Sequence, residues 1–248
     1  MRVPASLALA LMIVAAGAPL HAQDRLTPFA DHFGIETEIL DGVNAFRQAH
    51  GLRPVSPEPH LQAAARHFAD YLVRSGRFAH DADGGDPAGR AEAAGYLYCV
   101  IAENLADASS VADFDAGPLG GNFVKGWEHS PGHRENMLKP DVVDTGIAVA
   151  RASGPTERYV AVQMFGLPRS AQFSFEVSNL AGRRERYVFD GRTYSLVPRE
   201  SMRHFACERT DLTFPGQARP YAAEPGALYV LRPMGRGVQV QVLRDGGA

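Results

Sequence analysis

The stretch Trp127-Glu128-His129-Ser130-Pro131-Gly132-His133-Arg134-Glu135-Asn136-Met137-Leu138 decides how this chain is read. It gathers the only tryptophan, two histidines and two glutamates into one short segment. Serine is a preferred helix N-cap, because its oxygen can accept from an N–H two or three residues on. Proline at the first helical position loses nothing, since its missing N–H would have been an orphan there. Ser130 is therefore the expected cap, Pro131 the first helical residue, and His133 a first-turn residue. The helix should stop near Lys139, because Pro140 cannot continue it. His129 and His133 have the four-residue spacing of a zinc-gripping H-E-x-x-H helix. Pro131 puts them in different elements, and Ser130 stands where that motif has its glutamate, so the zinc-protease reading is set aside.

Working outward, Ile35 to His50 carries Ile35, Ile39, Leu40, Val43 and Phe46 at helical spacing, and Gly51 ends it. Pro57 to Ser75 repeats the pattern with Leu61, Ala64, Ala65, Phe68, Tyr71 and Leu72, with Gly76 as the C-terminal stop. His60 and His67 fall on this second helix and are assigned no function. Phe78-Ala79-His80 lies beyond its end, followed by a loop from Asp81 to Asp86. Asp86-Pro87 has the character of a cap and first residue for a short third helix ending at Gly95. Tyr96 to Ile101 is a β-branched and aromatic run, expected to be a strand that ends at Glu103. Ala106 to Gly121 reads as loose, with Gly117-Pro118 and Gly120-Gly121 as breakers, and Asn122 to His129 as a helix carrying Trp127 into the core. Downstream, Gly146 to Ala152 and Tyr159 to Phe165 form an expected hairpin around Ser153-Gly154-Pro155. Helices alternating with an antiparallel sheet make an α+β layering.

From Gln172 onward no helical period is found. Short runs at Phe173 to Val177, Tyr187 to Phe189, Tyr194 to Val197, His204 to Cys207, Leu228 to Leu231 and Val238 to Leu243 are divided by turn signals. Closely spaced short strands point to a small all-β sandwich or barrel. The expected division is residues 35–168, then an all-β unit over 171–248. Residues 1–22, with Arg2, the apolar run Leu7 to Ala16 and Leu20-His21-Ala22, read as a signal peptide cleaved after Ala22. The mature protein would be secreted or periplasmic, with no integral membrane segment. The 248-residue chain has a formal net charge of -3, which argues against nucleic acid or an anionic membrane as the main partner of the whole chain. Its two cysteines, Cys99 and Cys207, fall one in each unit. In an oxidising compartment a bridge between them is expected, the alternative being two buried thiols.

His80 in a Phe-x-His setting, Glu103 in Ala-Glu-Asn-Leu, and the block from Trp127 through Ser-Pro-Gly-His to Asn136-Met137-Leu138 have an order and spacing of their own. Together they resemble the CAP superfamily, also called the SCP domain, in its bacterial branch. The resemblance covers Ile39 to Leu167 and implies an α-β-α sandwich with a cavity lined by two histidines and two acids. His80, Glu103 and His133 match three of those positions. Many relatives carry the second acid three residues after the tryptophan, where this chain has Ser130. Glu128, directly after Trp127, is then the candidate for the fourth.

Two imidazoles near a carboxylate support three chemistries. They can bind a divalent metal such as zinc through neutral ring nitrogens, with His80 and His133 as ligands and the acid as ligand or orienter. They can transfer protons near neutral pH. They can also form a plain hydrogen-bonded network. Ser130 is expected to be occupied as a cap, and neither cysteine adjoins a motif histidine in sequence. The leading expectation is an exported module whose cleft binds a small ligand, lipid or peptide, with or without zinc. The alternative is a metal-assisted hydrolase acting on peptide or cell-wall material. A further expectation is that the C-terminal β unit docks on an envelope partner.

Overall fold

The computed structural model describes residues 28–110, 116–152 and 157–244. The expected leader over 1–22 and the hairpin turn at Ser153-Gly154-Pro155 lie outside these residues. Helix α1 spans Pro28–Ala49, starting before the apolar stripe that Ile35 opens. A two-residue strand β1, Ser56–Pro57, precedes α2, Pro59–Ser75. Glu58 caps α2, its carboxylate accepting from the Leu61 N–H at 2.7 Å, and Gly76 closes it at φ 69°. That left-handed turn is open to glycine at no steric cost. Helix α3, Pro87–Ala93, is capped by Asp86, whose Oδ1 accepts from Gly89 N–H at 2.7 Å. Strand β2 follows at Tyr98–Ser110, then α4 at Ala116–His129, α5 at Pro131–Met137, β3 at Asp144–Ala152 and β4 at Glu157–Pro168.

These strands form one sheet in the order β1-β3-β4-β2. Ile35, Ile39, Val43, Phe123, Val124, Trp127 and Met137, from α1, α4 and α5, pack in one core with Ile147, Val149, Ala161 and Phe165 of the sheet. Leu61, Ala65, Phe68 and Leu72 of α2 form a second core with Ala148, Ala150, Val160 and Val162. Neighbouring residues of β3 and β4 fall into different cores because side chains alternate across a strand. The result is an α-β-α sandwich. At Gly146 the backbone of α2 comes so close that a Cβ would lie 2.1 Å from the Leu61 carbonyl carbon.

Two expectations fail here. Strand β2 runs on to Ser110 instead of ending at Glu103, so Glu103 sits inside a strand. Glu103 and Asn104 break the apolar pattern that marks a strand, and tertiary partners offset their burial. The segment expected to be loose also contains the first turns of α4. Gly120 is a packing glycine, since a Cβ there would lie 2.6 Å from the Glu38 Cβ and 2.8 Å from the Ile35 carbonyl oxygen of α1.

Side chains finish both edges of the sheet. Strand β3 pairs with β1 only at Asp144 and Thr145. Beyond that point the Gln62 amide bonds both the N–H and the carbonyl of Ile147. At Val149 the N–H donates to Glu36 at 2.9 Å and the carbonyl accepts from Arg66, which also pairs with Glu36. On the β2 edge, Asn136 Nδ2 donates to the Glu103 carbonyl at 3.1 Å and Trp127 Nε1 to the Leu105 carbonyl at 3.0 Å. Unpaired strand edges are templates for association, and these positions are occupied.

A 3-10 turn at Arg169–Ala171 leads into β5, Phe173–Asn179. Then come β6, Glu185–Phe189; β7, Arg192–Leu196; and β8, Ser201–Ala206. Strands β9, Asp211–Thr213, and β10, Tyr221–Ala222, are too short for a sequence period to reveal. The last two strands are β11, Leu228–Met234, and β12, Gly237–Leu243. Two four-stranded sheets, β10-β9-β6-β7 and β12-β11-β5-β8, share a core of Phe175, Val177, Tyr187, Phe189, Leu196, Leu212, Tyr229 and Leu231. The C-terminal region is therefore a β-sandwich. Cys99 of β2 and Cys207, just after β8, form a disulfide with Cα atoms 5.3 Å apart, within the ordinary range for such a bridge. Among the described residues no helix is long and apolar enough to cross a membrane.

Candidate functional site

Glu103 is the buried anchor of the site, its side chain 1% exposed. A carboxylate so placed needs charge and hydrogen bonds to offset its lost hydration. Both are supplied by Arg90 of α3, whose Nη2 lies 3.0 and 2.9 Å from the two Glu103 oxygens. Arg90 is itself 7% exposed, pairs through Nη1 with Asp83 at 2.9 Å, and stacks over the Phe68 ring. Its Nη2 also donates to the His80 carbonyl at 2.9 Å, so one guanidinium fixes both the acid and the backbone of the first histidine. His80 Nδ1 then meets Glu103 Oε1 at 2.8 Å, while its side chain is 52% exposed. With Nδ1 bonded to the carboxylate, Nε2 is left as the ring's acceptor.

His133 arrives from the other side on α5. Asn104 Nδ2 donates to the His133 carbonyl at 3.2 Å, and Asn136 Nδ2 donates to Asn104 Oδ1 at 2.9 Å and to the Glu103 carbonyl at 3.1 Å. Two asparagines thus lock the first turn of α5 against the strand that carries Glu103. Burial holds the His133 pKa below the ordinary histidine value, and the nearby His80 lowers it further. His133 is accordingly a neutral imidazole at pH 7. The structure puts His80 in contact with Glu103, and His133 close enough to His80 for the charge of one to act on the other. Glu128, half-buried in the last turn of α4, makes no hydrogen bond or ion pair to any of the three. Ser130 occupies the N-cap position but its hydroxyl makes no cap hydrogen bond; its carbonyl accepts from the Arg134 N–H at 2.8 Å. His129 ends α4 with Nδ1 on the Lys125 carbonyl, in a different helix from His133.

The family model of the cysteine-rich secretory proteins, CAP, matches residues 40–165, just over half of the chain. The chain belongs to the CAP family. A curated relative, the uncharacterized protein YkwD of Bacillus subtilis, is 27% identical to the CAP protein described here over 113 residues. That match covers 45% of this chain and 41% of YkwD, less than half of either. Among solved structures, an outer surface protein from Borrelia burgdorferi aligns with TM-score 0.47 and 18% identity, over 54% of this chain and 93% of its own. An extracellular SCP-domain protein from Bacillus anthracis aligns with TM-score 0.46 and 20% identity, over 58% of this chain and 45% of its own.

Sequence reading of this CAP domain missed Arg90 and Arg47. Arg90 sits four residues past the Asp86 cap, where any exposed helix carries a charge, and its link to Glu103 exists only in three dimensions. Arg47 is fully buried and has no carboxylate partner among the described residues. Its guanidinium donates to the carbonyls of Arg53, Met137, Lys139 and Val142, which ties α1 to the end of α5. Burial lowers its pKa. The one available signal was an arginine on the inward stripe that contains Val43.

Proposed function

We propose that this chain is an exported binding module, with a cleft at His80 and His133 that accepts a small ligand, lipid or peptide. The observation that carries the reading is the commitment of Glu103. Both of its oxygens are bonded to Arg90 and one also to His80, so it orients groups and is not a free base or metal ligand. The groups presented to a ligand are the imidazoles, one half-exposed and one held neutral. Neutral imidazoles suit a divalent cation, and His80 and His133 would hold zinc there. Among the described residues no group of three His, Cys, Asp or Glu side chains is disposed around such a position. Zinc on two histidines would complete its shell with solvent or ligand, whereas hydrolytic zinc sites ordinarily have three protein ligands. The donor set therefore favours binding over metal-assisted hydrolysis of peptide or cell-wall material.

Titration calorimetry with zinc chloride on the wild type and on the His80→Ala, His133→Ala double variant tests the site. Wild-type protein should bind zinc, and binding should weaken below about pH 6, where the metal must displace protons from charged imidazoles. The double variant should remain folded and lose the heat of binding. Equal binding by both would move the site elsewhere, and an unfolded variant would favour a purely structural network.

A further inference from the structure

One end of the C-terminal sandwich is built differently from the rest. Strands β5 and β11 run parallel toward it, and β8 runs away from it to the disulfide. This end is therefore the one remote from Cys99 and the CAP domain. Three connections meet there, residues 179–185, 197–200 and 233–237, and Asn179 joins two of them. Fully buried, it donates through Nδ2 to the Arg183 and Leu196 carbonyls at 2.8 and 2.9 Å. Its backbone N–H and carbonyl bond Glu200 O and Arg199 N at 2.9 and 2.7 Å. Arg183 Nη2 reaches the Arg236 carbonyl at 2.9 Å and secures the third.

On this fixed platform the exposed side chains are of two kinds. Leu180, Val197 and Met234 are 41%, 40% and 63% exposed. Arg184, Arg199 and Arg236 lie exposed on the same three connections, and none has an ion-pair partner among the described residues. Of the acids at this end, Glu185 is paired with Arg183 at 2.7 Å, and Glu200, which accepts from the Val197 N–H at 2.7 Å, is one negative charge against these three arginines. The charge extends beyond the tip, since from residue 172 onward the sequence has eleven arginines and no lysine against eight acids.

We propose that this tip docks the protein on an anionic phospholipid bilayer. Apolar side chains projecting from loop ends can enter the boundary between headgroups and acyl chains, while nearby basic residues meet the phosphates. Arginine suits the second task because its planar fork pairs with phosphate through two N–H groups. Contact through the tip would hold the CAP cleft on the far side of the sandwich, away from the membrane. The proposal does not depend on what the cleft binds.

Co-sedimentation of the full mature chain with vesicles of phosphatidylglycerol and phosphatidylcholine, and with phosphatidylcholine alone, tests it. The wild type should partition onto the anionic vesicles only, and 0.5 M salt should release it, roughly the screening expected for exposed charges. An Arg184→Gln, Arg199→Gln, Arg236→Gln variant and a Leu180→Ser, Met234→Ser variant should each bind about tenfold more weakly or worse, with wild-type melting temperatures. Wild-type protein that stays in the supernatant overturns the proposal, and so does either variant binding as tightly as the wild type. Should the glutamine variant melt early, the triple lysine variant decides: retained binding is expected, and loss of it overturns the role of charge.

Discussion

At the scale of single residues, the candidate site is organised by an arginine rather than by its histidines. Arg90 neutralises a carboxylate that has almost no contact with solvent, and it holds the His80 backbone at the same time. Removing one partner of a buried pair leaves an uncompensated charge, which costs about 3–5 kcal/mol. Arg90→Gln should therefore lower the stability measured by urea unfolding by about that amount. The Arg90→Gln, Glu103→Gln double variant, in which no bare carboxylate remains, should recover much of the loss. If the single variant is as stable as the wild type, Arg90 does not carry the site.

At the scale of elements, the legible part of the sequence was the part whose punctuation is local. Asp86-Pro87 and Ser130-Pro131 mark helix starts, and Gly76 marks a helix end, because each acts on its own turn of backbone. What escaped was set by neighbours. Strand β2 continues through Glu103 and Asn104 because α3 and α5 satisfy their polar groups. Helix α4 crosses Gly120 because α1 needs the space of a missing Cβ. Of the site, His80, Glu103 and His133 were legible as motif residues, whereas Arg90 was invisible until the fold brought it to Glu103. Glycine as a contact surface recurs at Gly146, where the α2 backbone lies directly on β3. Gly146→Ala should push α2 off the sheet at a cost of about 3 kcal/mol. A thermal melt should show that as a fall of about 5–10 °C in Tm. An unchanged Tm would mean that α2 shifts without penalty.

At the scale of the whole molecule, each unit contains a histidine that folding keeps neutral. His133 in the CAP domain is held below its ordinary pKa by burial and then by His80. His204 in the sandwich is held low by burial. It lies among the rings of Phe175, Tyr187, Phe189 and Tyr194, and its Nε2 shares a hydrogen bond with the Tyr187 hydroxyl at 2.6 Å. A group whose folded pKa lies below its unfolded value contributes stability above the unfolded value, about 6.5 for histidine. That contribution is lost as pH falls from there through the folded value. The urea midpoint should therefore fall between pH 7.5 and 5. His204→Gln, which cannot titrate but still offers an acceptor, should fall less steeply. An identical slope would remove His204 from the explanation.

The bridge between Cys99 and Cys207 also places events in time. The two cysteines are 108 residues apart, and a ribosome makes the first long before the second. All four strands of the CAP sheet, and every residue of the His80–Glu103–His133 cluster, precede Cys207 in the chain. The first unit can therefore assemble while Cys99 is still a thiol, and closure waits for β8 to deliver its partner. An oxidised molecule is one whose chain has already passed β8, with the CAP sheet made before it, so the bond is a time stamp on synthesis, legible by a thiol count on intact protein.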